Sequence, residues 1–132
     1  MRTHYLGHIV FYVRELDASL KFYEKILGLK RIEGGELSFK AAALTSGRTH
    51  HELLLIEVGD RPGPPPGPRR GFYHAGFKIG DSLDELKKAY HELLSAGVQV
   101  KGVSDHTISK SIYCLLYTSP SPRDATLSRM PA

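Results

Sequence analysis

The chain has 132 residues, 41% hydrophobic and 24% charged, with a net charge of +4, which is one domain's worth of ordinary globular sequence. It has no apolar run of about 18 residues, so no membrane-spanning helix is expected. The N-terminus MRTHYLGHIV carries no signal-peptide pattern, so a cytoplasmic protein is expected. Basic and acidic residues are interspersed, with Arg69-Arg70 the longest basic feature, which argues against a nucleic-acid partner. The single cysteine, Cys114, excludes an intrachain disulfide and a Cys-based zinc site.

In chain order, residues 8–13 (HIVFYV) are β-branched and aromatic and predict a buried strand. Asp17 is placed to N-cap a helix through ASLKFYEKILG, with Leu20, Tyr23 and Leu27 on one stripe and Gly28 at its C-terminal end. Strands are predicted over 29–32, 37–44 and 52–58, with Gly34-Gly35 as the turn between the first two. Residues 59–71 (GDRPGPPPGPRRG) form a hinge, because proline cannot donate to a sheet ladder.

The pattern then restarts. Residues 72–79 predict a strand, and Ser82 with Glu85 forms an S-x-x-E capping box. The helix that follows presents Leu83, Leu86, Tyr90 and Leu93/Leu94 on one face and closes at Gly97, and strands are predicted over 98–103 and 110–113. The fold class is therefore α+β, built from two βαβββ modules over residues 4–58 and 72–113 within one domain, 1–113. The second module comes out one strand short, its last strand missing or replaced.

From Cys114 the texture changes. The tail, residues 114–132, is rich in Ser, Thr and Pro, and its YTSPSPRD stretch resembles a translated sequencing-adapter read-through; a disordered C-terminus is the alternative. Loss of an edge strand here predicts exposed ladder groups and aggregation.

The seven histidines are the main chemical signal. Neutral imidazole is a common metal ligand and a common acid or base near neutral pH. His8 and His74 stand at corresponding positions at the start of the two modules, so pseudo-two-fold packing would aim both into one cavity, with Gly76 leaving room beside His74. His4 and His91 read as solvent-facing, and His50 as a strand terminus or a support for His51. His106 sits in a polar turn with Asp105 as a local partner, and Tyr113 on an apolar strand is as readily a core residue as a functional one.

The stretches GHIVFYVRELDASLKFYEKILGL and GFYHAGFKIGDSLDELKKAYHELLSAGV resemble the vicinal-oxygen-chelate superfamily of glyoxalases, drug-resistance proteins and extradiol dioxygenases. That resemblance implies two modules forming a half-open barrel around a metal and ligand cavity. Within the superfamily the chain looks most like the extradiol dioxygenases, which open catecholic rings with O2. The resemblance implies Fe(II), with Mn(II) as the other choice, held by His8 and His74. It implies O2-side chemistry for His51 in RTHHELLLIEV and substrate-side roles for His106 and Tyr113 in DHTISKSIY. Two imidazoles and a carboxylate would leave three adjacent metal positions open for two catechol oxygens and O2.

The family's third ligand, a glutamate after a Pro-x-Gly turn, should follow Tyr113, and the tail stands there instead. Asp124 is at about the right distance along the chain but has no supporting turn, and Glu52 and Glu57 on the fourth strand are the remaining candidates. The implied activity is ring cleavage, lost or nearly lost without that ligand. The alternatives are a glyoxalase-like isomerase or thiol transferase, and a non-enzymatic ligand-sequestering protein. The modules could close a cavity within one chain or across a homodimer.

Overall fold

The computed structural model describes residues 1–33, 38–63, 65, 67–115 and 125–129. The Gly34-Gly35 turn, the start of the third predicted strand at Leu37, and Asp124 lie outside the described residues. The chain divides into two units, Met1–Pro62 and a second one beginning at Gly63.

The first unit runs β1 (Ile9–Val13), α1 (Leu16–Leu20), β2 (Lys30–Arg31), β3 (Ala41–Thr45) and β4 (Leu53–Glu57). Its sheet has the order β1-β4-β3-β2, with β1 and β4 parallel and the other pairs antiparallel. The period-two alternation gives this sheet two distinct faces. Phe11, Val13, Ala42, Leu44, Leu53 and Leu55 point to one side and are buried with Leu20, Phe22 and Tyr23. On the other face Val10 and Tyr12 are exposed, beside half-buried Leu54 and Ile56 in the same rows.

The first helix departs from its expected geometry. Glu15, not Asp17, is the N-cap residue, without a side-chain cap, and Asp17 lies in the first turn. The free amide of Leu16 is satisfied instead from β4, by the Glu57 carboxylate at 2.8 Å. After Leu20 the helix widens into a π-helical segment, Lys21–Ile26, with the Leu27 amide bonded to the Phe22 carbonyl. The wider turn brings neighbours Phe22 and Tyr23 both into the core and leaves Leu27 half-buried, off the predicted stripe. Gly28 follows with φ of 73°, the left-handed conformation expected of a helix-ending glycine.

The second unit runs β5 (Ala75–Gly80), α2 (Leu83–Ser95), β6 (Gln99–Asp105), β7 (Lys110–Leu115) and β8 (Ala125–Arg129). Its sheet order, β5-β8-β7-β6, reproduces that of the first unit strand for strand. Of the two expectations for the last strand of the second module, missing or replaced, the first is corrected here. Residues of the tail supply β8, parallel to β5 and antiparallel to β7. That strand is interior to the sheet and not at its edge, because it is what joins β5 to β7. The predicted capping box of α2 is present in full, with the Ser82 hydroxyl accepting from the Glu85 amide and the Glu85 carboxylate accepting from the Ser82 amide. Leu86 and Leu93 from α2 and Ile112 and Cys114 from β7 are buried as this unit's core.

Candidate functional site

In the first unit, the parallel pairing of β1 with β4 determines which histidines meet. Ile9 lies opposite Leu53, and its amide donates to the Glu52 carbonyl at 2.9 Å. That register carries His8, just before β1, to His51, just before β4, with ring centroids 4.8 Å apart. His50 joins them, its Nδ1 lying 2.9 Å from Nδ1 of His51. One of these two rings supplies an N–H and the other a lone pair, so at least one is neutral. His50 therefore supports its neighbour, and it ends no strand.

Glu52 and Glu57 serve structural ends. The Glu52 carboxylate accepts from the Ser46 amide and hydroxyl at 2.9 Å each and from the Thr49 amide at 3.1 Å. Desolvation is the largest single influence on it and raises its pKa. The hydrogen bonds from Ser46, Thr45 and Thr49 together outweigh that and hold the pKa at about 2. The Glu57 carboxylate caps the Leu16 amide and pairs with Lys40 at 3.3 Å, and the Leu16 amide is the main reason it sits below the usual carboxylate range.

In the second unit, strand β8 sets the rows. Thr126 is the register partner of both Gly76 on β5 and Tyr113 on β7, so those two residues share one row across the sheet. His74 stands just before β5 and meets the Tyr113 ring edge-on at 5.9 Å and the Tyr73 ring at 4.8 Å. Its Nδ1 is buried and has no hydrogen-bond partner among the described residues, a costly state for a polar atom. The Tyr113 hydroxyl lies 3.0 Å from Nε2 of His106, and the Ser104 hydroxyl lies 3.0 Å from the same nitrogen.

A tight hairpin aims His106. Its amide donates to the Ser109 carbonyl at 2.8 Å, and the intervening Thr107 adopts a left-handed φ of 69°. Asp105 accepts from the Thr107 amide at 3.0 Å and pairs with Lys110, so it builds the turn.

The five residues singled out in the sequence thus fall into two groups, His8 with His51 and His74 with His106 and Tyr113. Sequence reasoning missed Ser104. Its signal was available, since it lies two residues before His106 at the end of a strand and so shares that residue's face. His4 and His91 are exposed, as expected.

Among the described residues no group of three His, Cys, Asp or Glu side chains is arranged to hold a metal ion. Both carboxylates weighed on the fourth strand are taken up by backbone amides.

Among solved structures, a glyoxalase/dioxygenase from Nostoc punctiforme superposes with a TM-score of 0.75 at 20% identity, over 98% of this chain and 92% of that one. The fosfomycin resistance protein FosX from Listeria monocytogenes gives 0.69 at 16% identity, over 99% and 95%. A lactoylglutathione lyase from Agrobacterium tumefaciens gives 0.68 at 19% identity, over 100% and 96%. At these identities the likeness is one of fold, and the names span several chemistries. The sequence profile of the Glyoxalase/Bleomycin resistance protein/Dioxygenase superfamily matches residues 5–124, from before β1 to just short of β8. With that match and the repeated strand order, the chain belongs to the glyoxalase/bleomycin resistance protein/dioxygenase superfamily.

Proposed function

We propose that the protein is an extradiol dioxygenase-like member of this superfamily, and that its ligand is a catecholic aromatic. The observation that supports this best is the meeting of His74, His106 and Tyr113 in one unit, through a 5.9 Å ring contact and a 3.0 Å hydrogen bond. These are three of the five residues to which the resemblance gives metal, O2-side or substrate-side roles. The chemistry suits an ortho-diol. A neutral imidazole accepts a proton near pH 7, and a phenol hydroxyl donates to the oxygen left behind.

On this reading His51, His106 and Tyr113 handle the protons of the ligand and of O2. The resemblance gives His8 and His74 each as an imidazole for Fe(II), or for Mn(II) in its place. That metal would supply the activation of O2 when bound. The chain's described residues lack the carboxylate such a site also needs, so the expected behaviour is catechol binding with ring cleavage absent or nearly so. The same incomplete donor set favours, as a second reading, a protein that sequesters its ligand without turnover. A glyoxalase-like isomerase fits less well, because Glu52 and Glu57, one of which it would need as a ligand, are both engaged elsewhere.

Titration calorimetry with 4-nitrocatechol and oxygen-electrode assays with catechol and Fe(II) test this. Saturable binding is expected, weakened about ten-fold by Tyr113→Phe through loss of one hydrogen bond to a charged oxygen. Oxygen uptake should stay at background. Failure of any catechol to bind would sink the ligand class. Vigorous Fe(II)-dependent uptake would show a complete metal set and overturn the expected inactivity.

A further inference from the structure

One nitrogen at the end of the β6–β7 hairpin has two hydroxyl partners. Nε2 of His106 lies 3.0 Å from Oγ of Ser104 and 3.0 Å from the hydroxyl oxygen of Tyr113. An imidazole nitrogen offers a single site in its ring plane, either a lone pair or an N–H. If it were a lone pair, two hydroxyl protons would compete for it, and one of them would lose its bond. If it is an N–H, the proton is shared between two oxygens in an ordinary three-centre bond. Equal distances to both oxygens favour the second arrangement.

The consequence falls on Tyr113. A phenol that accepts from His106 keeps its own O–H for another acceptor. We propose that Ser104 is a positioning residue that holds His106 as its Nε2–H tautomer, leaving the Tyr113 hydroxyl proton free to donate to an anionic oxygen of the bound ligand.

The placement is built into the fold. Ser104 is half-buried on β6, and its register partner on β7 is buried Ser111. His106 lies two residues on, across the turn from Tyr113, whose register partner on β6 is Gly102. With Ser104 removed, Nε2 would face one oxygen, and the His106 lone-pair and N–H arrangements toward Tyr113 would become equivalent in number of bonds. Tyr113 would then spend its proton on His106 in part of the population.

The identity of the acceptor rests on the catechol reading above: it is the phenolate oxygen of a catechol monoanion. A ligand with a neutral hydroxyl at that place would gain less.

Nitrogen-15 NMR of the His106 ring in the full chain at neutral pH tests the tautomer without any ligand. The signal is assigned by its loss in His106→Asn. The expected result is a protonated Nε2 and an unprotonated Nδ1 in the wild type and in Ser104→Thr, and a mixture of tautomers in Ser104→Ala. Binding of 4-nitrocatechol should weaken about five-fold in Ser104→Ala and be restored to within about two-fold in Ser104→Thr, the loss of one neutral hydrogen bond's worth of order. A protonated Nδ1 in the wild type overturns the proposal, as does a tautomer unchanged by Ser104→Ala. The expected tautomers with no 4-nitrocatechol binding would uphold the positioning role and overturn the catechol reading alone.

Discussion

The carboxylate of Glu52 has three hydrogen bonds from the loop before β4, and they keep it ionised down to about pH 2. A carboxyl whose folded pKa lies below its unfolded value stabilises the fold above the unfolded value, and that stability is lost as pH falls through the folded one. The window here runs from 4.5 down to about 2. Glu52→Gln should lower stability at pH 7 by about 2 kcal/mol, the scale of hydrogen bonds to a charged group. The gap between variant and wild type should close as pH falls through that window, which thermal melts at a series of pH values would record. A gap that stays constant with pH would show that the loop does not depend on this charge. Cys114 behaves in the opposite sense. Burial pushes its thiol up to about 11, so little thiolate exists at neutral pH. Thiol reagents should label it only on unfolding, with a rate that follows denaturant; fast labelling of the native chain would contradict its burial.

Between residues and whole sheets, the second helix shows how local signals cooperate. Its capping box is completed by Gly80, where an added Cβ would meet the Glu85 carboxylate at 2.7 Å and its Cβ at 2.8 Å. The absence of a side chain there lets Glu85 reach the amides of Asp81 and Ser82. Gly80→Ala should therefore break the box and destabilise by about 1 kcal/mol, the usual worth of an N-cap. Ser82→Ala should cost a similar amount, and the double variant little more than either, because both remove the same arrangement. Equilibrium unfolding followed by circular dichroism measures this; additive losses would separate the two effects. The first helix lacks such a cap, and its first amide depends on Glu57 from β4, a contact between segments far apart in sequence.

Across the molecule, the same strand order occurs twice, and in each sheet the last strand in sequence lies second in space. β8 therefore holds β5 against β7. A chain ending at residue 115 would expose two rows of unpaired ladder groups, one on β5 and one on β7. It should aggregate in size-exclusion chromatography and lose amide protection along β5 and β7. Native-like protection in those strands without β8 would show that the sheet does not need it. His74 should also part from Tyr113 in that variant, because their rows are registered through Thr126, whereas His106 and Tyr113 keep their contact across the β6–β7 hairpin.

The sequence by itself determined the first βαβββ repeat, the second as far as its last strand, the capping box and the helix-ending glycines. Those features follow from local rules, the period of apolar residues and the backbone freedom of glycine, which act over a few neighbours. It determined less of α1, where the π-helical turn that buries Phe22 and Tyr23 is a packing solution invisible to a stripe of residues counted at helical spacing. Only the tertiary structure decided that tail residues supply an interior strand, since 125–129 (ATLSR) has weak strand character and gains its ladder from β5 and β7. It alone decided that Glu52 and Glu57 serve backbone amides, and that His51 pairs with His8 while His106 lies between Ser104 and Tyr113. Those are outcomes of register between strands distant in sequence. A one-residue slip would move each of these side chains to the opposite face, and nothing within a single strand's composition specifies its partner's register.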